Sequence, residues 1–469
     1  MADVTVQTDA APKKQKKRSM FYTPYTVLNA ITKGDIFTKL SIVVMGLGCM
    51  ARGQVMKGIC WLLVEIAYIF YMVQYGALAL SRLPGLGDSA QKEVWDEAQG
   101  VYIYEAGDNS VLYLLYGVIT IVLTVVFICF WADSLRSSYK SECLKKSGQR
   151  LYTFRDDLKS LVNENIWRLL MFLPFAGILV FTIMPLCYMI PMAFTNYSTI
   201  DDHLTLFDWV GLENFKTVLG LGGKLGKTFW PVLGWTLIWA FFATFLNFFF
   251  GMILALVIQR KDTKGKAVWR FLFMISIAVP QFVSLLLMRQ MLARQGVINN
   301  LLLEWGWIKQ PLPFWTDATW ARVTVILINC WIGIPYSMLQ VTGILQNIPA
   351  ELTEAAKIDG ANSVQVFFKI TLPYIMFIMG PYIITQFTGN INNFNVIYLL
   401  TQGQPLSTKL SNNAGYTDLL VTWLYKMTVN SSNYKMAAVI GIMVFVVVAV
   451  ISLIVYNMMP SVKDEEGFQ

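Results

Sequence analysis

Eight stretches of about twenty largely apolar residues dictate what this chain can become: residues 59–80, 111–131, 169–194, 232–258, 271–292, 323–345, 375–400 and 437–457. A helix of roughly 20 apolar residues crosses a bilayer. Inside lipid only helices and closed barrels satisfy their own backbone groups. Of 469 residues, 56% are hydrophobic and 14% charged, where a soluble domain carries about 25% charged. The sequence therefore predicts an all-α polytopic membrane protein with eight transmembrane helices. Residues 40–50 are also apolar but too short to span comfortably, and read as an interfacial or re-entrant helix.

Charge orients the segments. Basic loops stay in the cytoplasm. Residues 132–168 carry Arg136, Lys140, Lys145, Lys146, Arg150, Arg155, Lys159 and Arg168, and residues 259–270 carry Arg260, Lys261, Lys264, Lys266 and Arg270. Residues 81–110 are acidic, with Asp88, Glu93, Asp96, Glu97, Glu105 and Asp108, and belong outside. Alternation then places 196–231, 293–322 and 401–436 outside, and 346–373 and both termini inside. The chain divides into a tail with its interfacial helix (1–57), a helix pair (58–131), a basic cytoplasmic linker (132–168), a six-helix core (169–457) and a C-terminal tail (458–469). The net charge of +8 follows from this topology and needs no nucleic acid. The run Lys13 to Arg18 reads as a solvated tail near anionic lipid. The six cysteines show neither a disulfide framework nor metal-ligand spacing, and the single histidine, His203, reads as incidental.

The loop at 351–373 is longer and more polar than a connector needs. Asn347 can cap a helix, Pro349 is tolerated in a first turn, and Glu351 and Glu354 favour the positive helix end. Gly360 suits the left-handed residue that stops a helix. Asn362 or Ser363 can cap a second helix with Val364, Phe367 and Phe368 on its apolar side, ending before Leu372-Pro373. Physics alone leaves two readings: an amphipathic surface connector, or a docking device.

Two spans look interrupted, one at Gly333-Ile334-Pro335 and one at Gln386 to Asn395, where four asparagines fall within six residues. Amides at membrane depth are costly unless they face water, protein or ligand. Together with aromatic faces they suit sugar hydroxyls; the alternative is that they bond helices to one another. Glu65 lies in the first span without an obvious basic partner, Arg289 reads as snorkelling, and Val279-Pro280 reads as a kink, for gating or merely tolerated. No P-loop and no catalytic constellation occurs.

Glu354-Ala355-Ala356, Asp359-Gly360-Ala361 and Ile370-x-Leu372-Pro373 resemble the EAA loop of ABC-importer permeases. Phe194-Thr195-Asn196-Tyr197, Gly211-Leu212-Glu213-Asn214-Phe215, Trp331-x-Gly333-x-Pro335-Tyr336 and Asn392-Asn393-Phe394 with Ile397-Tyr398 resemble the MalF type of sugar permease. The resemblance covers roughly 165–460. It implies a bacterial plasma-membrane subunit that works with a second, MalG-like permease, an ATPase dimer and an extracellular sugar-binding lipoprotein. It implies that Tyr336, Gln386, Asn390 and Asn393 contact sugar while Ile332, Gly333 and Gly389 line the cavity. It further implies that Glu351, Glu354, Ala355, Ala356, Asp359, Gly360, Phe367, Leu372 and Pro373 couple to the ATPase. No cofactor is expected on this chain; ATP is used by the partner. Two departures stand out. Gln386 replaces a smaller hydroxyl residue, and the loop 196–231 lacks the large domain of the best-known relatives. A stand-alone ion-coupled carrier would need intramembrane charge beyond Glu65, and a membrane enzyme would need a His, Asp or Glu cluster.

Overall fold

The computed structural model describes residues 25–90, 92–96, 100–105, 107–198, 205–220, 223–260 and 262–458. The basic run near residue 15, His203 and the last tail residues lie outside these. Among the described residues, seven helices are long and apolar enough to cross a membrane: Val55–Arg82, Ser110–Lys146, Ile166–Met192, Lys224–Gln259, Ala318–Asn347, Ser363–Ile391 and Tyr434–Met458. A further apolar stretch, expected as the fifth span, is a bent helix pair, Lys266–Ala278 and Gln281–Met291, at 85°. The protein is a predominantly α-helical multi-pass membrane protein.

Three of the expected spans differ in detail: Ala318–Asn347 runs unbroken through Gly333-Ile334-Pro335, where an interruption was expected, and two others break. The fifth is broken where Pro280 removes a backbone donor and pushes Val279 into extended geometry (ψ 129°). The seventh ends at Ile391 and not at residue 400. There the Asn393 carboxamide oxygen accepts the Val396 N–H at 3.3 Å and starts a new short helix, Phe394–Leu400. A feature the apolar pattern hid is an antiparallel hairpin in the acidic loop, Lys92–Asp96 with Val101–Glu105, pairing Lys92 with Glu105. Gly100 supplies the positive φ for its turn.

The chain forms two compact units. One holds the described residues up to Gly87 and Asn109–Tyr188; the other holds Asp88–Asp108 and the described residues from Met189 onward. The division falls within the Ile166–Met192 helix, whose most apolar window has no buried residue.

In the first unit, residues 36–50 form neither a span nor a single interfacial helix. They make two short helices, Ile36–Leu40 and Leu47–Met50, folded against Ser110–Lys146. The Trp131 indole donates to the Ile42 carbonyl at 3.0 Å, and the Gly46 N–H donates to Ser134 Oγ at 3.1 Å. Buried Arg52 joins this clasp to the helix. It pairs with Asp35 and Glu142 and donates to the Gly48 and Ser138 carbonyls. Burial pushes the Asp35 carboxyl up, but hydrogen bonds from Arg52 and the Thr38 N–H outweigh it and hold it at about 2. Glu65 accepts the Met45 N–H at 2.8 Å. Its position in a span thus has a structural explanation.

Candidate functional site

In the second unit, Lys224–Gln259 packs along Ala318–Asn347 and beside Ser363–Ile391. Their shared interface is layered. One apolar layer contains Trp235, Trp239, Leu285, Val325, Ile328, Val396, Ile397 and Leu400. The other contains Phe248, Met252, Met338, Val341, Ile375 and Met379. Between them lies a cavity of about 320 Å³, walled by these three helices together with residues of the bent pair.

Six of the seven expected substrate residues line that cavity: Ile332, Gly333, Tyr336, Gln386, Asn390 and Asn393. Gly389 is exposed and is not among the residues that line it. Asn390 and Asn393 line the cavity and also bond to protein groups. Asn390 Nδ2 donates to Thr244 Oγ1 at 2.9 Å, and its carbonyl accepts the Trp239 indole N–H at 3.1 Å. Asn393 caps the next helix and donates to Asn390 Oδ1 at 3.4 Å. Asn390 and Asn393 are therefore ordered by protein while still lining the chamber. Asn392 and Asn395 are exposed and do not line it.

Among the lining residues that went unnoticed in the sequence are Asn247, Asn329 and Tyr382. Asn247 Oδ1, Asn329 Nδ2 and the Tyr382 hydroxyl are buried with no hydrogen-bond partner among the described residues. Such groups are costly to leave unmet. Three around one chamber point to a polar guest. The signal for Asn329 was present, because Asn329, Ile332, Gly333 and Tyr336 follow helical 3–4 spacing. The broken span adds Val279, Pro280 and Gln281 to the wall. Across the break, Pro280 has no N–H to offer the Ser276 carbonyl, which leaves a backbone acceptor at cavity depth.

The polar loop is built as two helices around one reversal. Asn347 ends the membrane helix, and Pro349 holds the N-cap position of Ala350–Ile358. Gly360 turns the chain at φ +81°. Asn362 then caps the next helix in a reciprocal box with Gln365. That second helix does not stop before Leu372-Pro373. It widens through a π turn, Phe367–Thr371, and continues into Leu372–Ile391. Pro373 cannot donate to the turn before it, and the wider winding accommodates that loss. The loop is thereby welded to a helix that walls the cavity. Phe367 packs against the apolar layer that contains Phe248, Met252 and Ile375. Glu351, Glu354, Ala355, Asp359 and Ile358 are exposed, Ile358 at 86%. Ala356, Asp359, Gly360 and Lys369 border a hollow of about 270 Å³.

Residues 247–464 match the family of binding-protein-dependent transport system inner membrane components. The chain is 33% identical over 449 residues to the maltodextrin transport system permease protein MdxF of Bacillus subtilis, covering 93% of this chain and 99% of that one. The chain belongs to the binding-protein-dependent transport permeases. It is a transport component and not an enzyme. Another relative in that permease family is the galactooligosaccharides permease GanP of B. subtilis, 36% identical, covering 76% of this chain and 85% of its own. A third is the maltodextrin permease MalC of Streptococcus pneumoniae, 32% identical, covering 90% of this chain and 96% of its own. Among solved structures, a bacterial ABC transporter for import of the polysaccharide alginate superposes with TM-score 0.52. It covers 64% of this chain and 97% of its own at 23% identity, a likeness of permease fold.

Proposed function

We propose that this permease forms the path for a neutral oligosaccharide, of the maltodextrin class, in a bacterial ABC importer. The observation that carries the reading is the amide-lined chamber between two apolar layers, with three buried polar atoms unmet. Hydroxyl-rich guests satisfy such atoms in both donor and acceptor senses. Tyr336 lines the chamber yet is 47% exposed in the isolated chain; a second, MalG-like permease would complete the wall. The energy comes from a separate ATPase dimer that docks on Glu351, Glu354, Ala355, Ala356, Asp359 and Gly360. Its motion passes through Phe367, Leu372 and Pro373 into the cavity helix. An extracellular binding protein delivers the sugar, and both termini face the cytoplasm.

Uptake of labelled maltodextrin and galactooligosaccharide by cells relying on this chain tests the guest. Asn390→Ala with Asn393→Ala should abolish uptake while the assembled complex survives purification. Loss of assembly would instead assign the pair to helix packing. A cysteine at exposed Thr408 should react with an impermeant reagent from outside, and one at exposed Ser363 should not; the reverse pattern overturns the orientation.

A further inference from the structure

A second hollow, of about 520 Å³, lies within the N-terminal unit. Trp61 and Val64 of the first span and Phe130 of the second give it an apolar wall. Its rim is charged with both signs. Arg136 and Lys140 stand one turn apart on one helix face. Neither they nor Arg168 makes an ion pair among the described residues. The same is true of Asp133 and Glu164, which border the same hollow. Lys57 and Asp157 satisfy each other at 3.1 Å. Beside the hollow runs the helix Phe154–Val162, which exposes Phe154, Leu158 and Val162 and carries Arg155 and Lys159. An exposed apolar face with basic flanks at a span boundary is the pattern of a helix lying in the membrane interface.

We propose that this hollow seats one aminophospholipid, with its phosphate on Arg136, Lys140 and Arg168 and its primary ammonium on Asp133 and Glu164. The acyl chains run along Trp61, Val64 and Phe130. Basic pockets at the cytoplasmic edge of membrane helices take lipid head groups. The two carboxylates favour a head group that also donates hydrogen bonds. The leaflet follows from the charge-derived orientation, but the binding itself does not depend on it.

Native mass spectrometry of the intact, delipidated complex tests this by titration with phosphatidylethanolamine, phosphatidylcholine, phosphatidylglycerol and soluble glycerophosphoethanolamine. Phosphatidylethanolamine should be retained about tenfold better than phosphatidylcholine, whose quaternary nitrogen has no proton to donate. Arg136→Gln with Lys140→Gln should lower that retention about tenfold. Asp133→Asn with Glu164→Gln should make the two lipids equivalent. Arg260→Gln with Lys264→Gln, removing two charges from another basic loop, should change nothing. Equal retention of the two lipids by the wild type overturns the proposal. So does tighter binding of phosphatidylglycerol, no effect of the first double variant, or soluble head group binding as well as lipid.

Discussion

Gly360→Val is expected to disconnect transport from ATP hydrolysis while leaving the membrane helices folded. Gly360 sits at φ +81°, which a β-branched residue adopts only under strain. A Cβ built there meets nothing within 4 Å, so the penalty lies in the backbone and not in a clash. The chain relieves it by moving Ala350–Ile358 relative to the helix that begins at Ser363, which disrupts the surface proposed to receive the ATPase. A strain of roughly 1–2 kcal/mol acts on docking rather than on folding, because the loop is exposed. In co-purification from native membranes the ATPase should be depleted and the second permease retained, and uptake should fall about five- to thirtyfold. Gly360→Asn is the informative companion, since asparagine tolerates the left-handed region, and it should keep the ATPase and most of the uptake. If both variants retain the ATPase, the Gly360 reversal is not part of the docking surface. If both lose it, side-chain bulk and not backbone conformation governs docking.

The sequence revealed the fold through its longest-range regularity, the repeated apolar stretch, because lipid leaves few other solutions. Where it erred, a local effect overrode hydropathy. Hydropathy averaged over a window reads one span across Val279-Pro280 and one across Asn392-Asn393, although the residues themselves mark a kink at the first and an interruption at the second. Backbone chemistry breaks both, through a missing donor at Pro280 and a cap at Asn393. The hairpin at 92–105 was invisible for the opposite reason, since it buries little and is set by strand propensity and one turn glycine. Residues 40–50 read as one interfacial or re-entrant helix, whereas the structure folds 36–50 into two short helices whose clasp depends on Arg52, Asp35 and Glu142, which are far apart in sequence. The chamber was legible where residues cluster, at Ile332 to Tyr336 and Gln386 to Asn393. Asn247 escaped because it stands alone in an aromatic run, and only the crossing of two helices brings it beside Gly333.

That crossing supports the second large effect. A Cβ on Gly333 would lie 2.1 Å from Asn247 Nδ2, the far end of a side chain that lines the chamber. Gly333→Val therefore displaces Asn247 into the space the sugar needs without forcing the helices apart. Gly251, on the helix that carries Asn247, makes the contrasting contact. Its Cβ would meet Ser337 Cβ at 2.5 Å and the backbone of Met338 and Ile334 at 2.9 and 3.0 Å, none of which can yield. Overpacking costs about 1–3 kcal/mol, a factor of roughly 5 to 150. The two glycines should direct that cost to different observables. Gly333→Val should cut oligosaccharide uptake about a hundredfold with assembly and thermal stability near wild type. Gly251→Val should lower the yield and melting temperature of the complex. Adding Asn247→Ala to Gly333→Val separates room from recognition. If uptake returns to wild type, Asn247 only crowds the cavity; if it stays low in a stable complex, the Asn247 carboxamide itself is a sugar contact. A Gly333→Val complex that falls apart like the Gly251 variant would make the chamber a packing feature and remove the support for substrate passing there.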